Sequence, residues 1–102
     1  MAACVRLKGP CGVELVLDRG EYFPDDPGRG CPALVEYQGA RYTGSLTAVC
    51  ATGSAIGSRD DCQLHPDALA WLCSLEDAAW EYIEGAELAP ILAALRAQGV
   101  RV

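Results

Sequence analysis

The spacing of the apolar residues changes once along this chain, and that change restricts the fold more than any other feature. Up to about residue 47 apolar side chains tend to recur at every second position, and from Pro66 they recur every third or fourth. The first spacing builds half-buried strands and the second builds helices with one apolar stripe. A chain that is strand first and helix later folds as α+β, with helices laid on one sheet face. The expectation is a single domain over residues 1–102. It has an antiparallel sheet of about four to five strands in the N-terminal half, covered on one face by two or three C-terminal helices.

Residues 3–8 alternate, with Val5 and Leu7 opposed to Arg6 and Lys8; residues 13–18 alternate again, with Val13, Leu15 and Leu17 opposed to Glu14 and Asp18. Gly9-Pro10-Cys11-Gly12 is turn chemistry, so the pair reads as a hairpin. Residues 21–32 are too rich in Pro and Gly for regular structure and read as a long loop. A second hairpin closes on Gln38-Gly39, where Gly39 accepts the positive φ of a two-residue turn. Its register sets Tyr37 against Ala40, Glu36 against Arg41 and Val35 against Tyr42. Gly44 reads as a bulge. Leu46–Ala51 fits a strand or a short helix equally well, and 57–65 reads as loop.

Pro66 opens the helical half and Gly85 suits its end. Ala68, Leu72, Leu75, Ala79 and Ile83 make one apolar stripe. Glu76 intrudes on it. A break with Ser74 as N-cap, and Glu76 and Asp77 in a new first turn, removes the conflict. A last helix starts near Leu88, carries Pro90 in its opening turn, buries Leu88, Ile91, Leu92 and Leu95, and stops at Gly99. Val100-Arg-Val102 reads as a short edge strand.

Charge is distributed as unevenly as pattern. The net charge is −6, yet no Lys or Arg stands between Arg59 and Arg96. Asp60, Asp61, Asp67, Glu76, Asp77, Glu81, Glu84 and Glu87 all fall there. On a helix Asp77, Glu81 and Glu84 share the face opposite the apolar stripe, and like charges at that spacing weaken a helix by a few tenths of a kcal/mol per pair. Trp80 stands at the margin. Two explanations compete: a solvated face, or a surface for a basic partner in which Glu76, Asp77, Trp80, Glu81 and Glu84 make the contact.

Six cysteines, at 4, 11, 31, 50, 62 and 73, could staple a secreted fold. The opening residues lack the basic start and long apolar run of a secretory signal. Cys50 and Cys73 lie in apolar runs, which suits buried thiols. The expectation is a cytoplasmic protein with reduced cysteines. Seven Arg against one Lys, and no Asn, point to a GC-rich bacterial genome.

Asp60-Asp-Cys-Gln-Leu-His-Pro-Asp67 collects carboxylates, a thiol and the sole histidine. Cys62 and His65 have one spacing used by metal sites, but a tetrahedral site needs two more ligands, and the helix-entry reading with His65 near the cap is preferred. Neither metal nor cofactor is expected. No catalytic residue stands out: Gly53-Ser-Ala-Ile-Gly57 is neither a nucleophile elbow nor a phosphate loop, and Glu14, Glu21, Asp25 and Asp26 make only a generic acidic set. Negative charge with scattered bases argues against direct nucleic-acid or membrane binding. The leading expectation is a non-catalytic interaction module that binds or neutralises a basic protein through residues 60–95. The alternative is a small-molecule site between sheet and helices, lined by Tyr22, Phe23, Tyr37, Tyr42 and Trp71. An enzyme of unspecified class comes third.

Overall fold

The structure, a computed structural model, describes residues 4–19, 32–52, 54–55 and 62–102. The long loop expected at 21–32 lies outside these apart from Pro32, as do Asp60 and Asp61. Strands β1 (Cys4–Lys8), β2 (Glu14–Asp18), β3 (Pro32–Tyr37) and β4 (Ala40–Ser45) form an antiparallel meander in sequence order. Helix α1 (Leu46–Thr52) follows β4 directly. A two-residue ribbon, β5 (Ser54–Ala55) with β6 (Cys62–Gln63), precedes α2 (Pro66–Ser74), α3 (Glu76–Ile83) and α4 (Leu88–Ala97). The α+β class and the antiparallel sheet agree with the sequence reading.

The sheet is two-sided. Val13, Leu15, Leu17, Val35 and Tyr37 are buried in one core with Leu46, Val49, Leu64 and the helix stripe Ala68, Leu72, Leu75, Ala79 and Ile83. Val5 and Leu7 pack at its margin. The opposite face carries a ladder of charge. Arg6 Nη1 lies 2.6 Å from Glu14 Oε2 and 2.8 Å from Glu36 Oε2, and Arg41 Nε lies 3.3 Å from Glu36 Oε1. Glu14 and Glu36 are direct cross-strand partners. Such a like-charge pair destabilises a sheet unless it is neutralised, and Arg6 touches both. Its guanidinium, hydrogen-bonded to Glu36, holds that carboxyl below the ordinary range.

Both hairpins form where expected. Pro10–Gly12 makes a 3-10 turn, tied by Gly9 N–H to the Val13 carbonyl at 2.8 Å. The second turn has positive φ at both Gln38 (51°) and Gly39 (78°), which suits the right-handed twist of the flanking strands. Its register pairs Tyr37 with Ala40, Glu36 with Arg41 and Val35 with Tyr42.

Four local expectations are corrected. Pairing runs through Gly44, opposite Ala33, without a bulge. The helix break is real, but Ser74 does not cap it. Ser74 Oγ donates to the Ala70 carbonyl at 2.8 Å, and Leu75, without a side-chain cap, stands between α2 and α3. Burial of Leu75, not capping, fixes the junction. Within the expected loop 57–65, residues 62–63 pair with β5. Val100–Val102 forms no strand. Val100 N–H bonds the Leu95 carbonyl, Trp71 Nε1–H bonds the Arg101 carbonyl at 2.8 Å, and Arg96 Nε–H bonds the Val102 carbonyl at 3.0 Å. Side-chain donors of the helical layer take the carbonyls that a neighbouring strand would have used.

Candidate functional site

Helix α3 is held in place at both ends. Leu75, Ala79, Tyr82 and Ile83 are buried. At the C-terminal end Arg19, which follows β2, donates from Nε to the Tyr82 carbonyl at 2.7 Å and from Nη2 to the Ala86 carbonyl. Its guanidinium carbon sits 4.0 Å from the Tyr82 ring centroid. A helix C-terminus is the negative end of the helix dipole, so a cation there is favourable. α3 has no base in its own last turn; the sheet supplies one.

With its core face fixed, α3 presents Asp77, Glu81 and Glu84 to solvent, and Glu87 follows at the entry to α4, also exposed. None of these four pairs with a base among the described residues. Glu84 is the C-cap residue of α3, where negative charge opposes the dipole. Five of the described bases lie against other groups: Arg6, Lys8 and Arg41 on the outer sheet face, Arg19 on backbone carbonyls, and Arg96 on the C-terminal backbone; Arg101 is exposed near the end of the chain. Trp80 is half-buried and packs at the margin of the core. Glu76 does not join the exposed row. It is half-buried in the first turn of α3, close to Cys50.

The aromatic set divides differently. Tyr22 and Phe23 lie outside the described residues, as does the side chain of Tyr42. Tyr37 and Trp71 are both in the core, 5% and 6% exposed. Their polar atoms are engaged within the fold: Tyr37 Oη accepts from the His65 backbone N–H at 3.4 Å, and Trp71 donates to Arg101.

Among the described cysteines, Cys4, Cys11, Cys50 and Cys73 are free thiols. Cys50 is half-buried, whereas Cys73, expected inside, is exposed. Burial, with the hydrogen bond that the Cys50 thiol makes to Cys73, pushes the Cys50 thiol well above its usual value. Cys73 belongs to the outward part of α2 because Ala68, Trp71 and Leu72 take its inner face.

His65 is the N-cap of α2, its Nδ1 accepting the Asp67 backbone N–H at 3.1 Å. The residue that meets it is Cys11, from the turn of the first hairpin. The ligating atoms of Cys11, His65 and Asp67 all lie within 4.8 Å of one another. No sequence spacing connects Cys11 to this segment; only the packing of the turn on α2 does. No helix of the described residues is long and apolar enough to cross a membrane. No family model matches the sequence, and neither a curated protein nor a solved structure shows significant similarity to it.

Proposed function

We propose that this domain is a non-catalytic interaction module whose α3 face binds a basic protein partner. The observation that carries the reading is the row Asp77, Glu81 and Glu84: exposed, unpaired among the described residues, and set partly against the helix dipole. A helix serving only as a lid for the core would be more stable with Lys at 81 or 84, because that removes repulsion and favours the C-terminal end. A basic partner relieves the same repulsion on binding. The field of the cluster also speeds its approach. Trp80, half-buried beside the row, supplies an apolar contact at its edge. The ligand-pocket reading ranks below this one because Tyr37 and Trp71 already use their rings and polar atoms inside the fold.

The test compares the wild-type domain with the Glu81→Lys/Glu84→Lys variant as baits in a lysate of the source organism, followed by association kinetics on what is retained. The variant should fold as well as the wild type or slightly better. It should retain less of the partner and associate more slowly, with the largest difference at low salt, where screening is weakest. Trp80→Ala should weaken binding by about 2 kcal/mol if the ring is an anchor. Equal retention and equal rates for both baits would leave α3 as a solvated face and sink the proposal.

A further inference from the structure

The acidic row leaves unexplained the place where the first hairpin turn meets the start of α2. Cys11, His65 and Asp67 converge there on solvent. From this convergence we infer a binding site for a divalent cation of the zinc class, with the Cys11 thiolate, His65 Nδ1 and an Asp67 carboxylate oxygen as its three protein ligands.

Geometry supports the assignment. Donors bound at about 2.0–2.3 Å around a tetrahedral ion stand roughly 3.3–3.8 Å apart. His65 Nδ1 and Asp67 Oδ2 are already 3.8 Å apart, and no pair in the trio exceeds 4.8 Å. Closing the set needs about 1 Å of movement in exposed side chains. Their backbones are fixed. The Cys11 turn is closed by the Gly9–Val13 and Val13–Pro10 hydrogen bonds and backed by Trp71, whose ring lies against Gly9. His65 is held by its backbone bond to Tyr37, and its carbonyl accepts the Leu69 N–H at 3.0 Å. Ligands on a rigid support lose little freedom when the ion arrives.

The donor chemistry agrees. One sulfur, one imidazole nitrogen and one carboxylate suit zinc and leave a fourth position for water. Two negative ligands balance the charge of a divalent ion. Because Nδ1 accepts the Asp67 N–H, the neutral ring carries its proton on Nε2, and the Nδ1 lone pair is engaged in the N-cap bond. The ion takes that lone pair in place of the N-cap bond. The sulfur binds as thiolate, so the Cys11 thiol gives up its proton to solvent as the ion binds.

Cobalt(II) is the probe. The full chain is stripped with a chelator, reduced, and titrated with Co²⁺ under nitrogen in weak buffer at about pH 7.5. The expected result is one ion per chain with a thiolate-to-cobalt charge-transfer band and the intense visible bands of a tetrahedral site. One proton should be released, and Zn²⁺ should displace the signal. Cys11→Ser should abolish the charge-transfer band. His65→Asn, which keeps a strong N-cap residue, and Asp67→Asn should each weaken binding at least about tenfold. Cys4→Ser, remote from the trio, should change nothing. Circular dichroism on each variant separates loss of ligand from loss of fold. The inference is overturned if the wild type shows no charge-transfer band, or if the band survives in folded Cys11→Ser.

Discussion

Gly9→Ala is the smallest change that interrogates the contact between the first hairpin and α2. Gly9 has φ −118° and ψ −171°, an extended conformation open to any residue, so the backbone imposes no penalty. The space does. A Cβ there would stand 2.5 Å from Trp71 Cδ2, 2.6 Å from Cε3 and 2.8 Å from Cε2, where carbon atoms prefer about 3.5–4.0 Å. The indole must retreat by about 1 Å. It is 6% exposed and has core neighbours behind it, and its Nε1–H is fixed at 2.8 Å from the Arg101 carbonyl. Overpacking of a filled core costs about 1–3 kcal/mol, and loss of that hydrogen bond adds about 1 kcal/mol. The unfolded chain gives back about 0.4–1 kcal/mol, because alanine has less freedom to lose. The net destabilisation is about 1–3.5 kcal/mol. At about 4–8 °C per kcal/mol for a domain of this size, Tm falls by about 5–25 °C. Urea unfolding followed by tryptophan fluorescence and far-ultraviolet circular dichroism measures it. In a Trp71→Leu background the same substitution should be neutral or mildly stabilising, since the ring that blocks it is gone. A wild-type background in which Gly9→Ala stabilises the protein, or an equal loss in both backgrounds, would refute the contact.

Arg19→Ala should cost about 2 kcal/mol in urea unfolding, since it removes a charged donor from the Tyr82 and Ala86 carbonyls and a cation from the Tyr82 ring. Arg19→Lys should recover less than half, because an ammonium cannot reproduce the fork; full recovery would mean that charge alone matters. The Cys50 thiol is raised on folding, so its contribution to stability is complete below the unfolded value, near 9.0, and declines as pH rises beyond it, where only the unfolded chain releases the proton. Cys50→Ala should therefore flatten the alkaline loss of stability, and mass-mapped iodoacetamide labelling at about pH 8 should modify Cys11 well before Cys50. Identical alkaline slopes in the two proteins would count against the burial of that thiol.

The sequence made the sheet legible because period-two alternation and turn chemistry are local. Val5 and Leu7, Val13 to Leu17, and the Gln38-Gly39 register could all be read without knowing what lay across the core. The helix stripe from Ala68 to Ile83 was equally plain. The errors concern competition between neighbours. Ser74 has the chemistry of an N-cap, yet its hydroxyl found the Ala70 carbonyl inside the same helix, a bond always within reach of serine there. Val100–Val102 has the alternation of a strand, but Trp71 and Arg96 claimed its carbonyls. The exposed row on α3 was visible as spacing, whereas the inward placement of Glu76 depended on how α1 packs. Cys11 beside His65 was invisible for a stronger reason: it is a tertiary meeting of two turns, and neither segment hints at the other.

The charge ladder on the outer sheet face bears on how copies of this domain behave at high concentration. From β1 to β4 it reads base, acid, acid, base: Arg6 and Lys8 on one border strand, Glu14 and Glu36 within, Arg41 on the other border. A second molecule adding its β1 or β4 alongside either border would set cation beside cation, with the compensating carboxylates one strand too far in. Strand-by-strand polymerisation is the ordinary hazard of an open sheet, and charged borders are a common defence. Here the bases that neutralise the interior carboxylates also guard the borders, so replacing Arg6 by a neutral residue would both unbalance the sheet and make it adhesive.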